Sequence, residues 1–167
     1  VYGRGAADER AVKLLARLPL DREAEGDFQV LGDDGVLLGP VRCRGEADNA
    51  GAFQHGNVQE DPTKSHGDHP FGTYRCKTLV RDPHPVRSYG PFFLSLAPVS
   101  GEALVAWQHG RRGLGIHGGD LGAGSTLRAT YGCLRLDNET MEALARLVAP
   151  ILAEGLDLFY ECRPWTP

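Results

Sequence analysis

This chain lacks paired cysteines, and that absence narrows its chemistry first. Its four cysteines, at 43, 76, 133 and 162, form no Cys-x-x-Cys pair and no zinc-finger spacing, so neither a zinc module nor a dithiol redox motif is written into it. No apolar run approaches the about 18 residues needed to cross a bilayer. No charged stretch followed by an apolar one opens the chain either, so no leader peptide is visible. Positive charge is also in short supply. The 18 Lys and Arg face 22 Asp and Glu, a net charge of -4, which argues against nucleic acid or an anionic membrane as the main partner.

What is abundant is glycine, 22 of 167 residues, about twice the usual share of about 7%. Glycine weakens helices, so the excess predicts many turns and a β-rich chain. A length of 167 residues suits one domain burying about 70% of its unfolded surface. The chain opens on Val1 rather than methionine, as expected of a trimmed precursor or a fragment.

Residues 6–18 read as an amphipathic helix, with Val12, Leu15 and Ala16 at helical spacing, Asp8 and Glu9 in the first turn and Pro19 as the stop. Residues 1–27 are therefore expected to form an N-terminal helical extension to a unit spanning 28–167. From Phe28 the pattern turns to β. Two apolar runs flank Gly32, Asp33, Asp34 and Gly35, a hairpin signal. Residues 45–70 read as a long polar loop holding His55, His66 and His69. No ordered ligand framework accompanies these histidines, so they are expected to be solvated, with neither metal nor cofactor bound. Strands are expected over 73–81, along the apolar run from Ser88 to Leu96, and at Leu104 to Trp107. A short strand leads from Arg111 into His117. A helix capped by Asp137 or Asn138 follows Cys133 and aligns Met141, Leu144, Ala145, Val148 and Leu152. Cys43, Cys76 and Cys162 are expected to be small buried hydrophobes.

The chemistry concentrates between Ile116 and Leu136. His117 is followed by Gly118 and Gly119, and Cys133 is preceded by Thr130, Tyr131 and Gly132, with fifteen residues between histidine and cysteine. A thiol nucleophile needs a neighbouring base and unobstructed backbone at the reacting carbon. Gly132 opens the approach to the Cys133 amide, a donor for an oxyanion. Either residue alone is more often a buried cysteine or a loop histidine. The pair in this setting favours catalysis, with His117 acting by ion pairing or as general base.

This arrangement resembles the signature of YkuD-type L,D-transpeptidases: His-Gly, a loop, then Ser/Thr-His-Gly-Cys-aliphatic-Arg/Asn. His117, Gly118, Thr130, Gly132, Cys133, Leu134 and Arg135 fit it, while Tyr131 stands where the motif has histidine. Gly67 to Tyr74 resembles the Thr-Pro-x-Gly-x-aromatic element of the same family, with His69 in the threonine's place. The resemblance implies a mainly β, sandwich-like fold with flanking helices. It also implies acyl transfer on peptidoglycan stem peptides, as L,D-transpeptidase or L,D-carboxypeptidase. Cys133, His117 and Gly118 would be catalytic. Gly132, Tyr131 and Thr130 would support the oxyanion, and Arg135 would meet substrate. From their position rather than the resemblance, Arg111 and Arg112, just upstream of His117, are read as a positive rim to the cleft, with solvated charge as the equal alternative, and Tyr89 as lining the substrate groove, with a core aromatic as the alternative. Fixing the catalytic loop is the second reading of Arg135, and the slightly preferred one. The implied setting is the periplasm or cell envelope, and a monomer is expected. A secreted effector using the same thioester on a rival's wall, and a catalytically weakened wall-binding module, are the alternatives.

Overall fold

The structure, a computed structural model, describes residues 11–83 and 87–165. Among these, eight strands carry the fold: β1 (Lys13–Leu18), β2 (Gly26–Gly32), β3 (Gly35–Cys43), β4 (Gly72–Arg81), β5 (Phe92–Pro98), β6 (Gly115–His117), β7 (Leu134–Arg135) and β8 (Phe159–Pro164). Helices α1 (Asn49–Gln54), α2 (Gly101–Gln108) and α3 (Asn138–Ala153) flank them. No described helix is long and apolar enough to cross a membrane.

The strands bond in the order β3-β2-β1-β8-β4-β5-β6-β7. β1 with β8 and β6 with β7 are parallel, and the other pairs antiparallel. The chain leaving β3, at one end of that order, meets β7 at the other. Arg44 N donates to Arg135 O at 3.0 Å, and Arg135 N donates to Arg44 O at 2.9 Å. The sheet therefore curls until its ends touch. This is the mainly β, sandwich-like architecture with flanking helices that was expected.

Side chains alternate across a strand. Phe28 and Val30, Tyr74 and Cys76, Leu94 and Leu96, and Tyr160 and Cys162 accordingly turn inward at two-residue spacing. Helix α3 covers this core with Met141, Leu144, Val148 and Ile151. Its cap is Asp137, which accepts from Thr140 N at 2.7 Å. Each fully buried large side chain contributes about 1.5–3 kcal/mol. Cys43, Cys76 and Cys162 are free thiols within this interior.

Two expectations need correction. Over 13–18 the helix expected for 6–18 is strand β1, while residues 6–10 lie outside the described residues. β1 sits between β2 and β8, and Leu14, Leu15 and Ala16 are all buried. A strand covered on both faces reads as a continuous apolar run, so its spacing imitated a helix. Conversely, the strand expected at Leu104 to Trp107 lies inside α2, whose Ala103 and Ala106 form one buried face. A four-residue apolar run does not distinguish the two by periodicity.

Arg22 joins these parts. Its guanidinium donates to Leu20 O at 2.9 Å and His69 O at 3.3 Å, pairs with Glu102 Oε1 at 2.5 Å and lies over the Phe71 ring. Arg22→Ala should lower the unfolding free energy by about 2–3 kcal/mol, since charged hydrogen bonds in a buried setting are lost together. Arg17→Ala, which removes the more exposed pair to Asp27, should cost clearly less, because solvent screens that pair. Denaturant titration of both variants checks this; equal losses would contradict it.

Candidate active site

Strand β6 carries His117 into the site, where β5 and β7 flank it with Phe93 and Arg135 in register. The imidazole lies between two aromatic rings, Tyr89 at 4.8 Å and Phe93 at 5.7 Å. His117 Nδ1 bonds the Gly118 carbonyl at 2.8 Å. A carbonyl only accepts, so Nδ1 carries the proton and Nε2 is the bare nitrogen. Burial pushes the imidazole down to about 4, against the raising effect of the Gly118 carbonyl and with help from the Arg135 charge.

Cys133 directly precedes β7. It is partly exposed and donates to Gly113 O at 3.6 Å. The protein packed around it raises the thiol to about 11, although a backbone bond from Gly115 and the charges of Arg111 and Arg135 act the other way. Two cavities meet at Cys133, Tyr89 and Tyr131. One, about 520 Å³, includes Phe92, Phe93, Arg111 and Arg112, and the other, about 510 Å³, includes His117, Arg128 and Arg135. Cys133 and His117 thus share the second cavity.

The remaining expected residues fall into two groups. Thr130 Oγ1 accepts from Gly132 N at 2.8 Å and donates to Cys133 O at 2.9 Å, which folds the loop beneath the thiol. Gly132 has φ +108°, and a β-carbon there would run into the Arg111 guanidinium and the Gly67 carbonyl; only glycine fits. Arg135 is buried, and its guanidinium donates to Gly118 O at 2.6 Å, Arg128 O at 2.8 Å, Ser88 O at 3.1 Å and Ala129 O at 3.4 Å. Those bonds fix the loop and leave it poorly placed for the substrate role first given to it. Tyr89, Tyr131 and Arg112 lie on the cavity walls instead. Arg112 stacks over Trp107 at 3.4 Å. The Tyr131 ring is 59% exposed and edge-on to His66.

Sequence reasoning missed several supports. Arg111, first read as part of a positive rim, is buried and donates to the carbonyls of Gly67, Asp68 and Tyr131. Asn138 Oδ1 accepts from Gly119 N at 2.8 Å. The expectation of solvated histidines fails at His69, which is fully buried, with Nδ1 at 2.8 Å from Gly132 O and Nε2 at 3.0 Å from Tyr160 Oη. Its place in the Gly67 to Tyr74 element was the available signal. The reason for the miss is that a loop anchored by Asn57 and Arg111 becomes interior. His66 is half-buried and stacks on His55 at 3.7 Å. Among the described residues no group of three or more His, Cys, Asp or Glu side chains is placed to hold a metal.

The model of the YkuD L,D-transpeptidase catalytic domain matches residues 36–153. No curated protein matches the sequence significantly. Among solved structures, Bd1075 of Bdellovibrio bacteriovorus is similar at 13% identity with a TM-score of 0.51, covering 90% of this chain and 47% of that one. The Ldtfm-avibactam carbamoyl enzyme is 13% identical with a TM-score of 0.48, covering 90% of this chain and 48% of that one. The chain therefore spans about half the length of either structure.

The buried histidines set an acid response. Folding holds His69 at about 3 and His117 at about 4, below the about 6.5 of a free imidazole. Their contribution is fully present above about 6.5 and is lost as pH falls toward the folded values. Glu60, which burial and Asp68 push up to about 7, acts with the opposite sign over that window. Between pH 6.5 and 5 the protein should lose stability as pH falls, and Glu60→Gln, which lacks the opposing group, should lose more. Urea titrations at stepped pH check this; a flat profile for both proteins would contradict it.

Proposed function

The chain belongs to the YkuD family of L,D-transpeptidase catalytic domains, and from that premise we propose that it performs cysteine-dependent acyl transfer on peptidoglycan stem peptides. One observation carries the reading: a neutral imidazole, pinned through Nδ1 to the Gly118 carbonyl, shares a cavity with Cys133. The substrate is a stem peptide cut between diaminopimelate and D-alanine, and the setting is the cell envelope.

The resting protonation states favour a general base over a stored ion pair. A thiol at about 11 and an imidazole at about 4 are both neutral near pH 7, so no thiolate–imidazolium pair is stored. The proton moves as the bond forms. The Cys133 sulfur bonds to the carbonyl carbon, its proton passes to His117 Nε2, and the carbonyl electron pair becomes an oxyanion beside the Cys133 N–H. Collapse breaks the C–N bond, His117 returns the proton to the departing D-alanine amine, and a thioester remains. A second stem amine then displaces the sulfur to give a cross-link, or water does so to give carboxypeptidase activity.

Intact-mass measurement of the protein with a tetrapeptide stem tests this. Wild type should gain the acyl mass and release D-alanine, Cys133→Ala should do neither, and His117→Ala should acylate about 10²–10⁴-fold more slowly. Alkylation of wild-type Cys133 should keep rising with pH toward about 11; a plateau already reached near pH 6 would establish a stored ion pair and overturn the general-base step. If wild type forms no thioester while Tyr131→His does, the wall-binding reading replaces the enzyme. Export without a cleaved signal would favour the effector.

A further inference from the structure

We propose that His69 is a positioning residue for acyl transfer, its Nδ1–H holding the Gly132–Cys133 peptide so that the Cys133 N–H is presented to the oxyanion. This rests on the reading of Cys133 as the nucleophile. A trans peptide is planar, with its C=O and N–H directed oppositely. Fixing the Gly132 oxygen therefore fixes the direction of the Cys133 N–H.

Three side chains take the three successive carbonyls around the nucleophile. Arg111 Nη2 donates to Tyr131 O at 3.3 Å, His69 Nδ1 to Gly132 O at 2.8 Å, and Thr130 Oγ1 to Cys133 O at 2.9 Å. The preceding N–H, that of Gly132, goes to Thr130 Oγ1 at 2.8 Å. The carbonyl that His69 takes belongs to the same peptide as the Cys133 N–H.

The ring is held where it can act in this way. It stacks with Tyr74 at 5.5 Å and packs against Tyr160 at 5.8 Å. Its own backbone is tied by His69 N to Gly45 O at 2.8 Å and by Arg22 Nε to His69 O at 3.3 Å. Because Gly132 O only accepts, the proton sits on Nδ1, and Nε2 accepts from the Tyr160 hydroxyl at 3.0 Å. A phenylalanine would fill the same stack without two polar atoms to satisfy, and burying such atoms is costly unless they are bonded. Packing alone does not account for an imidazole here.

The test separates oxyanion alignment from general damage. Acylation of Cys133 by 4-nitrophenyl acetate passes through an oxyanion, whereas alkylation by iodoacetamide does not. In His69→Phe the ratio of acylation to alkylation rate should fall at least about tenfold, because removing an oxyanion donor outright costs about 10²–10³ and misalignment costs part of that. His69→Asn, which offers an N–H near the Nδ1 position, should recover most of the ratio. An unchanged ratio in His69→Phe, or both rates falling by the same factor, would overturn the proposal. A readout on the native protein covers the case in which variants do not fold. The ¹⁵N spectrum of His69 should show a protonated Nδ1 and a bare Nε2, and the opposite tautomer would overturn the proposal too. A wild type that alkylates but never acylates, with the ester or with a tetrapeptide, would instead bring down the acyl-transfer reading on which this one stands.

Discussion

The Gly118 carbonyl oxygen accepts from His117 Nδ1 at 2.8 Å and from Arg135 Nη1 at 2.6 Å, so one backbone atom ties β6 to β7. The first bond sets the imidazole tautomer and leaves Nε2 bare. The second anchors a guanidinium that also reaches Ser88, Arg128 and Ala129. Moving Gly118 would therefore disturb His117, Arg135 and the loop between them together. A carbonyl serves here because a carboxylate would bring a full negative charge beside a buried imidazole, which favours the charged ring. The neutral acceptor orients His117 while burial keeps it unprotonated.

Among the described residues, three arginines are almost fully enclosed: Arg22, Arg111 and Arg135. Burying a guanidinium is costly unless its donors are satisfied. Arg22 meets Glu102, whereas Arg111 and Arg135 spend donors on carbonyls. Carbonyl dipoles satisfy the N–H groups without cancelling the charge. Positive charge consequently persists on both sides of Cys133, enough to draw its thiol pKa down but outweighed by burial. In the proposed reaction that field acts on the oxyanion, a charge present only in passage. A fixed field aimed at transient charge is a strong form of stabilisation.

Much of the frame was legible. The turn at Gly32 to Gly35, the strand after Gly72, and helix α3 with its Asp137 cap all follow from local chemistry. What was not legible depends on neighbours distant in sequence. β1 is a strand because β2 and β8 bond it on both edges, which no window around Leu15 records. Arg111 looks like surface charge until the 62–68 loop closes over it. At the site, the His117–Gly118 and Gly132–Cys133 pairs could be read as a unit. Their supports at Phe93 and Asn138 could not, since each arrives from a separate element, and at His69 the sequence marks the position but not its bond to Gly132.

Two positions depart from the family-like pattern, and they differ in kind. At 131 the tyrosine side chain stands at the cavity mouth, 59% exposed, and it is the backbone oxygen that Arg111 holds. Exchanging the side chain there alters the cavity wall and leaves the support of Cys133 in place. At 69 the histidine is wholly enclosed, and its ring is bonded at both nitrogens, to Gly132 and to Tyr160. A threonine there would be too short to reach both partners from the same backbone, so the Gly132 oxygen and the Tyr160 hydroxyl would have to find others or stay unpaired, at about 1–3 kcal/mol for each buried group. The change at 131 thus concerns what the cavity meets, and the change at 69 what holds the Cys133 loop in position.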